Sequence, residues 1–446
     1  FLIGMLGEII LLRRACARAL GVEVTPAMVA DWKEAIIRDT LYGVDIKPEA
    51  IEIAQLRLWL ALVVDQTIEQ ARPLPNLDYK LMAGNSLIET IDGEPVLTES
   101  ATTLLNASAT GQWEHFEPQL KMFDPNPMQM RMGLFESERE TQRERIRLDE
   151  LRQQFFRATP EERRQLRDEI TAQERRIVFS SLKEKAEALQ EQINHLGYRA
   201  GEQGGLLSRA DERKLEAATA KLGRITGLQE QMRSPEAPLP FFLYRLHFSE
   251  VFARKGGFDV VVANPPYVRM EAITDQKPEL QASYPEVYTG TADLYVYFFA
   301  RGIQLLKPHG KLTYIAPNKW LRASYGEKLR GHFVNSVHIE QIIDFGHASI
   351  FKGADTFPCI VVFQKADGKP ASSVDVQVTQ FPRDELDQWD LRDFVEERSH
   401  FVAANRFSAP PWSLEPVDIE RLMAKIRAAG VPLREFIGAE PYYGIK

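Results

Sequence analysis

At 446 residues and 44% hydrophobic content the chain is long for one domain and has apolar material for a sizeable core with additions to it. A net charge of -8 excludes a wholesale polycation, so any contact with nucleic acid needs a local basic surface or a segment outside this sequence. Two cysteines, Cys16 and Cys359, stand far apart without metal-ligand spacing; with no apolar run fit to span a bilayer and no secretory signal, they argue against a disulfide scaffold, a zinc site or a membrane protein and for a reducing, cytoplasmic setting.

Residues 1–20 read as an amphipathic helix with Leu2, Leu6, Ile9 and Ile10 on one side. It opens without a cap or an initiator Met, which reads as a cut. "TLYGVDI" (40–46) predicts a short strand ending in Asp45. "KPEAIEIAQLRLWLALVV" predicts the following helix, with Pro48 in its first turn and Ile51, Ile53, Leu56, Leu60 and Val63 as apolar positions. "LDYKLMAGNSL" is a second strand, closed by Gly84 and Asn85. Such βα units signal a parallel sheet.

From about 96 to 235 the β signal disappears into Glu, Arg and Gln with sparse apolar positions: Ile146, Leu148, Leu151, Phe155 and Phe156. Nearly balanced charge predicts long, solvated antiparallel helices broken near Thr159-Pro160, with a DNA- or partner-gripping arm as the sharper alternative. "FDVVVANPPY" then gives a buried strand stopped by prolines, "TADLYVYFFARGIQLL" a helix, and "GKLTYIAP" (310–317) a strand. Strand signals at 337–345 and 357–364 leave no room for a crossover helix and read as an antiparallel hairpin at the edge of the sheet. Helices are expected near 384–398 and 416–429. The expected domains are 1–95 and 236–366 as two parts of one α/β core, 96–235 as a helical insertion, and 367–446 as a linker with the start of a further region.

Ligands of open α/β sheets bind outside the carboxyl ends of the strands, where Asp45, Asn85, Asn264 and Pro317 fall. Asp45 suits ribose hydroxyls or a helix N-cap equally well. The tetrad Asn264-Pro265-Pro266-Tyr267 is more specific. The Asn264 side-chain oxygen and the Pro265 carbonyl can each accept a hydrogen bond from one amino group, turning its lone pair out of the conjugated plane. Tyr267 offers a flat face to a planar substrate, a contact of about 1–3 kcal/mol per base. An ordinary turn does not account for acceptor, rigid backbone and ring together.

"NPPY" after an apolar strand resembles motif IV of amino-methyltransferases that use S-adenosylmethionine. Together with "LYGVDIKPEAIEIAQLRLWL", "MAGNSLIE", "DLYVYFFARGIQLLKPHGKLTYIAPNKWL" and "FKGADTFPCIVVFQK", it resembles the adenine-specific methylases of type IIG restriction–modification systems and related phage-defence methylases. These segments cover most of 40–90 and 240–365 in the family's order. The resemblance implies a Rossmann-like, mostly parallel methyltransferase sheet, S-adenosylmethionine as cofactor, no metal, double-stranded DNA as substrate, and restriction or defence subunits as partners. It implies direct methyl transfer to the amino group of a flipped adenine.

By that resemblance Asp45 with Ile46 is similar to the ribose-binding acid, and Asn85 with Ser86 to the residues near the cofactor's adenine, where many relatives carry Asp. Asn264, Pro265, Pro266 and Tyr267 correspond to the catalytic tetrad, and Asn264 also borders the cofactor. Phe351 matches the ring on the base's other face, core packing being its competing reading. Asp293, Leu294 and Tyr295 sit where the family's pocket lining lies, while Tyr297 leans to core packing. Lys319, Arg322, Lys328 and Arg330 stand near the rim, for phosphates or as a solvated helix face. The family's Gly-rich cofactor loop precedes a helix like the first one here and is expected to be missing, and "PYYGIK" reads as the entry to a target-recognition domain. Three rivals stay open: a protein-amide methylase using the same tetrad, a non-catalytic specificity subunit with a methylase shell, and cytosine as target, for which Ser usually replaces Asn264.

Overall fold

The computed structural model describes residues 1–64, 77–98, 102, 143–155, 158–202, 207–234, 237, 239–346, 348, 350–351, 356–370, 374–382 and 389–438. "PYYGIK" and Phe156 lie outside the described residues. The chain divides into two compact units: Phe1–Gly257 with Pro278–Ser283, and Phe258–Lys277 with Tyr284–Lys446.

The first unit opens with α1 (Leu2–Ala19) and α2 (Pro26–Asp39). The second helix has a complete start signal: the Thr25 hydroxyl accepts the Met28 N–H and Pro26 sits in the first turn. β1 (Gly43–Asp45), α3 (Pro48–Val63) and β2 (Leu81–Ala83) follow as the expected βα unit. The strands pair in parallel, Gly43 opposite Leu81 and Asp45 opposite Ala83. Leu6, Ile10, Ile36, Leu58, Leu62 and Leu81 share one apolar cluster. Each such side chain contributes about 1.5–3 kcal/mol on full burial, which fixes the end of β1 against the three helices.

Past β2 comes a two-residue hairpin, β3 (Thr90–Ile91) and β4 (Glu94–Pro95). Its turn, Asp92-Gly93, takes positive φ at both positions, 52° and 77°, as a turn matched to the strand twist requires. The Glu279 carboxylate accepts the Asp92 amide at 2.8 Å. The charge-rich insertion folds as helix α4 (143–155), α5 (Pro160–Glu202) and α6 (Arg209–Gln231), with the break at Thr159-Pro160. Many of its charges are exposed, but its base is not merely solvated. Glu174 is buried, pairs with Arg152 at 2.8 Å and meets His247 Nδ1 at 3.3 Å, while Arg152 also donates to the Leu246 carbonyl. Helix α6 pairs Arg224 with Asp92 and Lys221 with Glu94 of the hairpin.

The second unit is built on a six-stranded mixed sheet, ordered β10-β9-β7-β8-β6-β5. The strands are β5 (Phe258–Ala263), β6 (Leu306–Pro317), β7 (Val337–Asp344), β8 (Pro358–Lys365), β9 (Val376–Gln380) and β10 (His400–Val402). β5 and β6 run parallel, and the expected antiparallel pair is present as β7 against β8, but inside the sheet and not at its edge; β5, expected to be buried, ends this sheet half-exposed, with Val260 44% exposed. β8 lies between β6 and β7, so the carboxyl ends of β5, β6 and β7 share one end of the sheet. Two strands absent from the sequence reading, β9 and β10, continue the sheet beyond β7. "VQVTQ" alternates as a strand should, with Val376 and Val378 inward, but only over five residues inside a polar stretch.

Helices α10 (Leu294–Leu305) and α11 (Glu327–Ser336) pack on this sheet through an aromatic core. In that core Phe333 lies 5.2 Å from Phe299, 5.2 Å from Trp320 and 4.7 Å from Phe363. Two short helices, α7 (Tyr244–His247) and α8 (Ser249–Lys255), stand between the insertion and β5 in the chain; α9 (Lys277–Ser283) falls between β5 and β6, and α12 (Leu391–Arg398) and α13 (Val417–Ala429) come after β9 and β10 respectively. Among the described residues no helix is long and apolar enough to cross a membrane.

Candidate active site

Strand geometry puts the polar residues singled out above at strand ends, in two places to be taken separately. In the first unit Asp45 closes β1, and Asn85 lies two residues beyond Ala83, its register partner, so both stand at one end of a parallel pair. The Asp45 Oδ1 accepts the Lys47 N–H at 2.9 Å, a tight local turn rather than a helix cap, since Lys47 is the N-cap of α3 and no side chain caps that helix. Oδ2 accepts nothing among the described residues. The neighbouring Ile46 is 68% exposed, which for an isoleucine beside a carboxylate leaves an apolar edge facing solvent. The Asn85 amide donates to the Pro240 carbonyl at 3.1 Å and accepts the Leu87 N–H at 3.2 Å, using one of the two lone pairs on its oxygen. The half-buried Ser86 turns its carbonyl to the Tyr244 hydroxyl.

In the second unit Asn264 is the first residue past β5. Its side chain is exposed, Pro265 is buried, Pro266 is exposed and Tyr267 is half-buried. Among the described residues neither the Asn264 side-chain oxygen nor the Pro265 carbonyl accepts a hydrogen bond. The two acceptors therefore end the strand uncommitted. The Tyr267 hydroxyl makes a long bond of 3.4 Å to the Ile315 carbonyl, and its phenol is pushed up to about 12 by burial and then by the neighbouring Cys359 thiol. It stays a neutral donor near neutral pH.

Phe351 lies beside Tyr267, with ring centroids 6.5 Å apart and planes at 65°. A base between two parallel rings needs two gaps of about 3.5 Å, so these rings are near the required spacing but edge-on, and one must rotate to face the other. Two residues missed in the sequence reading hold the start of the Phe351 loop. Asn318 Nδ2 donates to Asp344 Oδ1 at 2.8 Å and to the Gly346 carbonyl at 3.1 Å, and the Gly346 N–H donates to Asp344 Oδ1 at 3.0 Å. The signal for Asp344 was the one that marked Asp45, an acid ending an apolar strand, in "IIDFG".

The rim residues separate into two kinds. Lys319, Arg322 and Lys328 are exposed. Arg330 is 1% exposed and corrects the expectation that it could meet phosphates. Its guanidinium donates to the carbonyls of Ala409, Pro410, Trp320 and Ala323, so it is a buried tie between segments. Tyr295 does not line a pocket either. Tyr295 and Tyr297 are both fully buried, with hydroxyls bonded to Tyr325 at 2.7 Å and to the Thr289 carbonyl at 3.3 Å. Asp293 accepts the Met270 N–H; burial raises its carboxyl pKa, while that bond and Lys319 pull it back.

The family model for the Eco57I restriction-modification methylase matches residues 39–351. A Methanocaldococcus jannaschii protein, provisionally described as a type II restriction enzyme and methyltransferase, is 25% identical over 393 residues, covering 86% of this chain and 30% of that one. The Escherichia coli type II restriction enzyme and methyltransferase RM.Eco57I is 29% identical over 171 residues, 37% of this chain and 16% of its own. The chain thus spans less than a third of the length of these two curated relatives. Among solved structures, a Listeria monocytogenes protein provisionally described as a class I S-adenosylmethionine-dependent methyltransferase is similar at 19% identity over 40% of this chain and 61% of that one, with a TM-score of 0.25, too loose a match to bear on the site.

Proposed function

The chain belongs to the Eco57I restriction-modification methylase family, and from that premise we propose that it carries the catalytic core of a DNA adenine methyltransferase. The reaction moves a methyl group from S-adenosylmethionine to the exocyclic amino group of an adenine flipped out of duplex DNA. One observation carries this reading: β5 ends in two uncommitted acceptors, on Asn264 and Pro265, next to the half-buried ring of Tyr267. An amine that donates to both acceptors has its nitrogen lone pair turned out of the base plane.

The residues present fit the cofactor. Asp45 keeps one carboxylate oxygen for ribose hydroxyls, the exposed Ile46 offers an apolar edge, and Asn85 has a remaining lone pair for an amino group, with Ser86 beside it. When bound, S-adenosylmethionine supplies a sulfonium methyl that the amino nitrogen takes, with a neutral thioether leaving.

The chain's own residues do the rest. Asn264 Oδ1 and the Pro265 carbonyl hold the two N–H bonds, and the prolines keep those acceptors from turning away. After transfer the surplus proton stays directed at these acceptors until solvent removes it. Tyr267 stacks on the extruded base and offsets part of the few kcal/mol that unstacking costs. Phe351 covers the other face once its ring turns. The exposed Lys319 and Arg322 meet the DNA backbone. Positioning of amine and methyl supplies much of the rate. In the cell this reading gives a cytoplasmic protein working within a restriction–modification or phage-defence system.

The test is methyl transfer by the full-length protein from methyl-labelled S-adenosylmethionine to unmethylated DNA, followed by digestion to nucleosides. Label in N(6)-methyladenine is expected. Label in cytosine, or in glutamine or asparagine of protein, overturns the proposal.

A further inference from the structure

Helix α10 begins on an aspartate that does not cap it. Asp293 occupies the N-cap position with φ -71° and ψ 159°, yet its side chain accepts no amide of its own helix. An aspartate there ordinarily takes the amide two or three residues on. Instead Asp293 Oδ1 accepts the Met270 N–H at 3.1 Å. The first helical amide, Leu294, donates to the Val268 carbonyl at 2.9 Å. Both bonds reach the same short stretch, Val268 to Met270, which leaves the tetrad immediately after Tyr267.

The helix that supplies them is firmly seated. Tyr295, Val296, Tyr297, Phe299 and Ala300 are all buried, and both tyrosine hydroxyls are bonded. Among the described residues the Tyr267 side chain makes the 3.4 Å bond to the Ile315 carbonyl and an edge contact with Phe351. The direction in which this side chain leaves the chain is set by its backbone, and the backbone that follows is tied to α10 by one amide and one carboxylate.

We propose that Asp293 is a positioning residue for methyl transfer: its carboxylate oxygen holds the Met270 amide and so fixes the direction from which the Tyr267 ring meets the base. The inference rests on the reading of the tetrad as the site that holds the target amine. The geometry requires an acceptor at this position and does not require a charge.

The test compares Asp293→Ala and Asp293→Asn in the full-length protein, with Asn264→Ala alongside. Steady-state transfer to DNA is measured together with amide hydrogen exchange of the peptide covering residues 264–270. In Asp293→Ala, turnover should fall about tenfold to a hundredfold with the KM for S-adenosylmethionine unchanged. Exchange of the Met270 amide should quicken about tenfold. Asp293→Asn, whose amide oxygen can accept the same bond, should recover most of the turnover and the protection. Unchanged exchange or turnover in Asp293→Ala overturns the inference, as does an Asn variant as impaired as the Ala variant. Transfer lost in Asn264→Ala but kept in Asp293→Ala removes this inference alone. A full-length protein that transfers no methyl, or an Asn264→Ala variant that transfers normally, removes the tetrad reading and this inference with it.

Discussion

Replacing Tyr267 by alanine and by phenylalanine separates its ring from its hydroxyl. The hydroxyl reaches the Ile315 carbonyl only at 3.4 Å, at the weak end of hydrogen bonding. The ring is half-buried and stands beside Phe351 at 6.5 Å. Base stacking on such a ring is worth about 1–3 kcal/mol, or about fivefold to 150-fold in kcat/KM when each 1.36 kcal/mol is tenfold. Tyr267→Ala should lose within that range, and Tyr267→Phe about threefold or less. Because burial, and then Cys359, push the phenol up to about 12, the wild type and Tyr267→Phe should share one pH profile between about pH 6 and 10. The assay is steady-state transfer to DNA over that range. Equal losses in the Phe and Ala variants would refute the reasoning, because the hydroxyl and not the ring would then carry the contact.

Three further outcomes follow from buried or crowded groups. Burial alone would raise the Glu174 carboxyl, but His247 and Arg152 outweigh it and hold it at about 2. Its stabilisation is thus present above the ordinary carboxylate range and lost as pH falls through that value. Glu174→Gln should cost about 3–5 kcal/mol near pH 7 by leaving Arg152 buried without its charge partner, and the gap to wild type should close towards about pH 2 in denaturant melts. Arg330→Met keeps the side chain's bulk but deletes four bonds to carbonyls, including those of Trp320 and Ala323. It should lose about 3 kcal/mol or more, followed by the fluorescence of the neighbouring Trp320 and Trp412. At Gly84 a Cβ would come within 2.6 Å of the buried Phe242 ring. Gly84→Ala should therefore cost about 1–3 kcal/mol and weaken S-adenosylmethionine binding through displacement of the adjoining Asn85, measured by calorimetry.

Where an apolar strand stops on a polar residue, the chemistry was legible from residue order alone. Asp45, Asn85 and Asn264 all stand at strand ends as their surroundings imply. The same rule applied to "IIDFG" would have found Asp344. Helix α2 was missed although its Thr25-Pro26 start and the apolar positions Val29, Ile36 and Ile37 mark it, because a polar outer face masks it. Strand β9 is short, and its pairing with β7 is a long-range event that five alternating residues do not announce. Arg330 follows Leu329 and precedes Phe333 by one turn, so its position on the buried face of α11 could be inferred. Its partners at 409 and 410 could not, because only the tertiary fold brings them near. For Phe351 the sequence position is informative but the ring angle is not, since side-chain torsions answer to neighbours distant in the chain. In "DLYVYFF" almost every residue is apolar or aromatic, and no period distinguishes a pocket-lining tyrosine from a core one.

The central claim is that the strand-ending tetrad methylates adenine in DNA. Its most direct measurement is mass spectrometry of nucleosides from the DNA of cells expressing the full-length protein, beside cells expressing Asn264→Ala at the same level. N(6)-methyladenine that appears with the first and disappears with the second is the predicted result. Its absence from both, with expression and cofactor binding verified, or its persistence in the variant, would contradict the account.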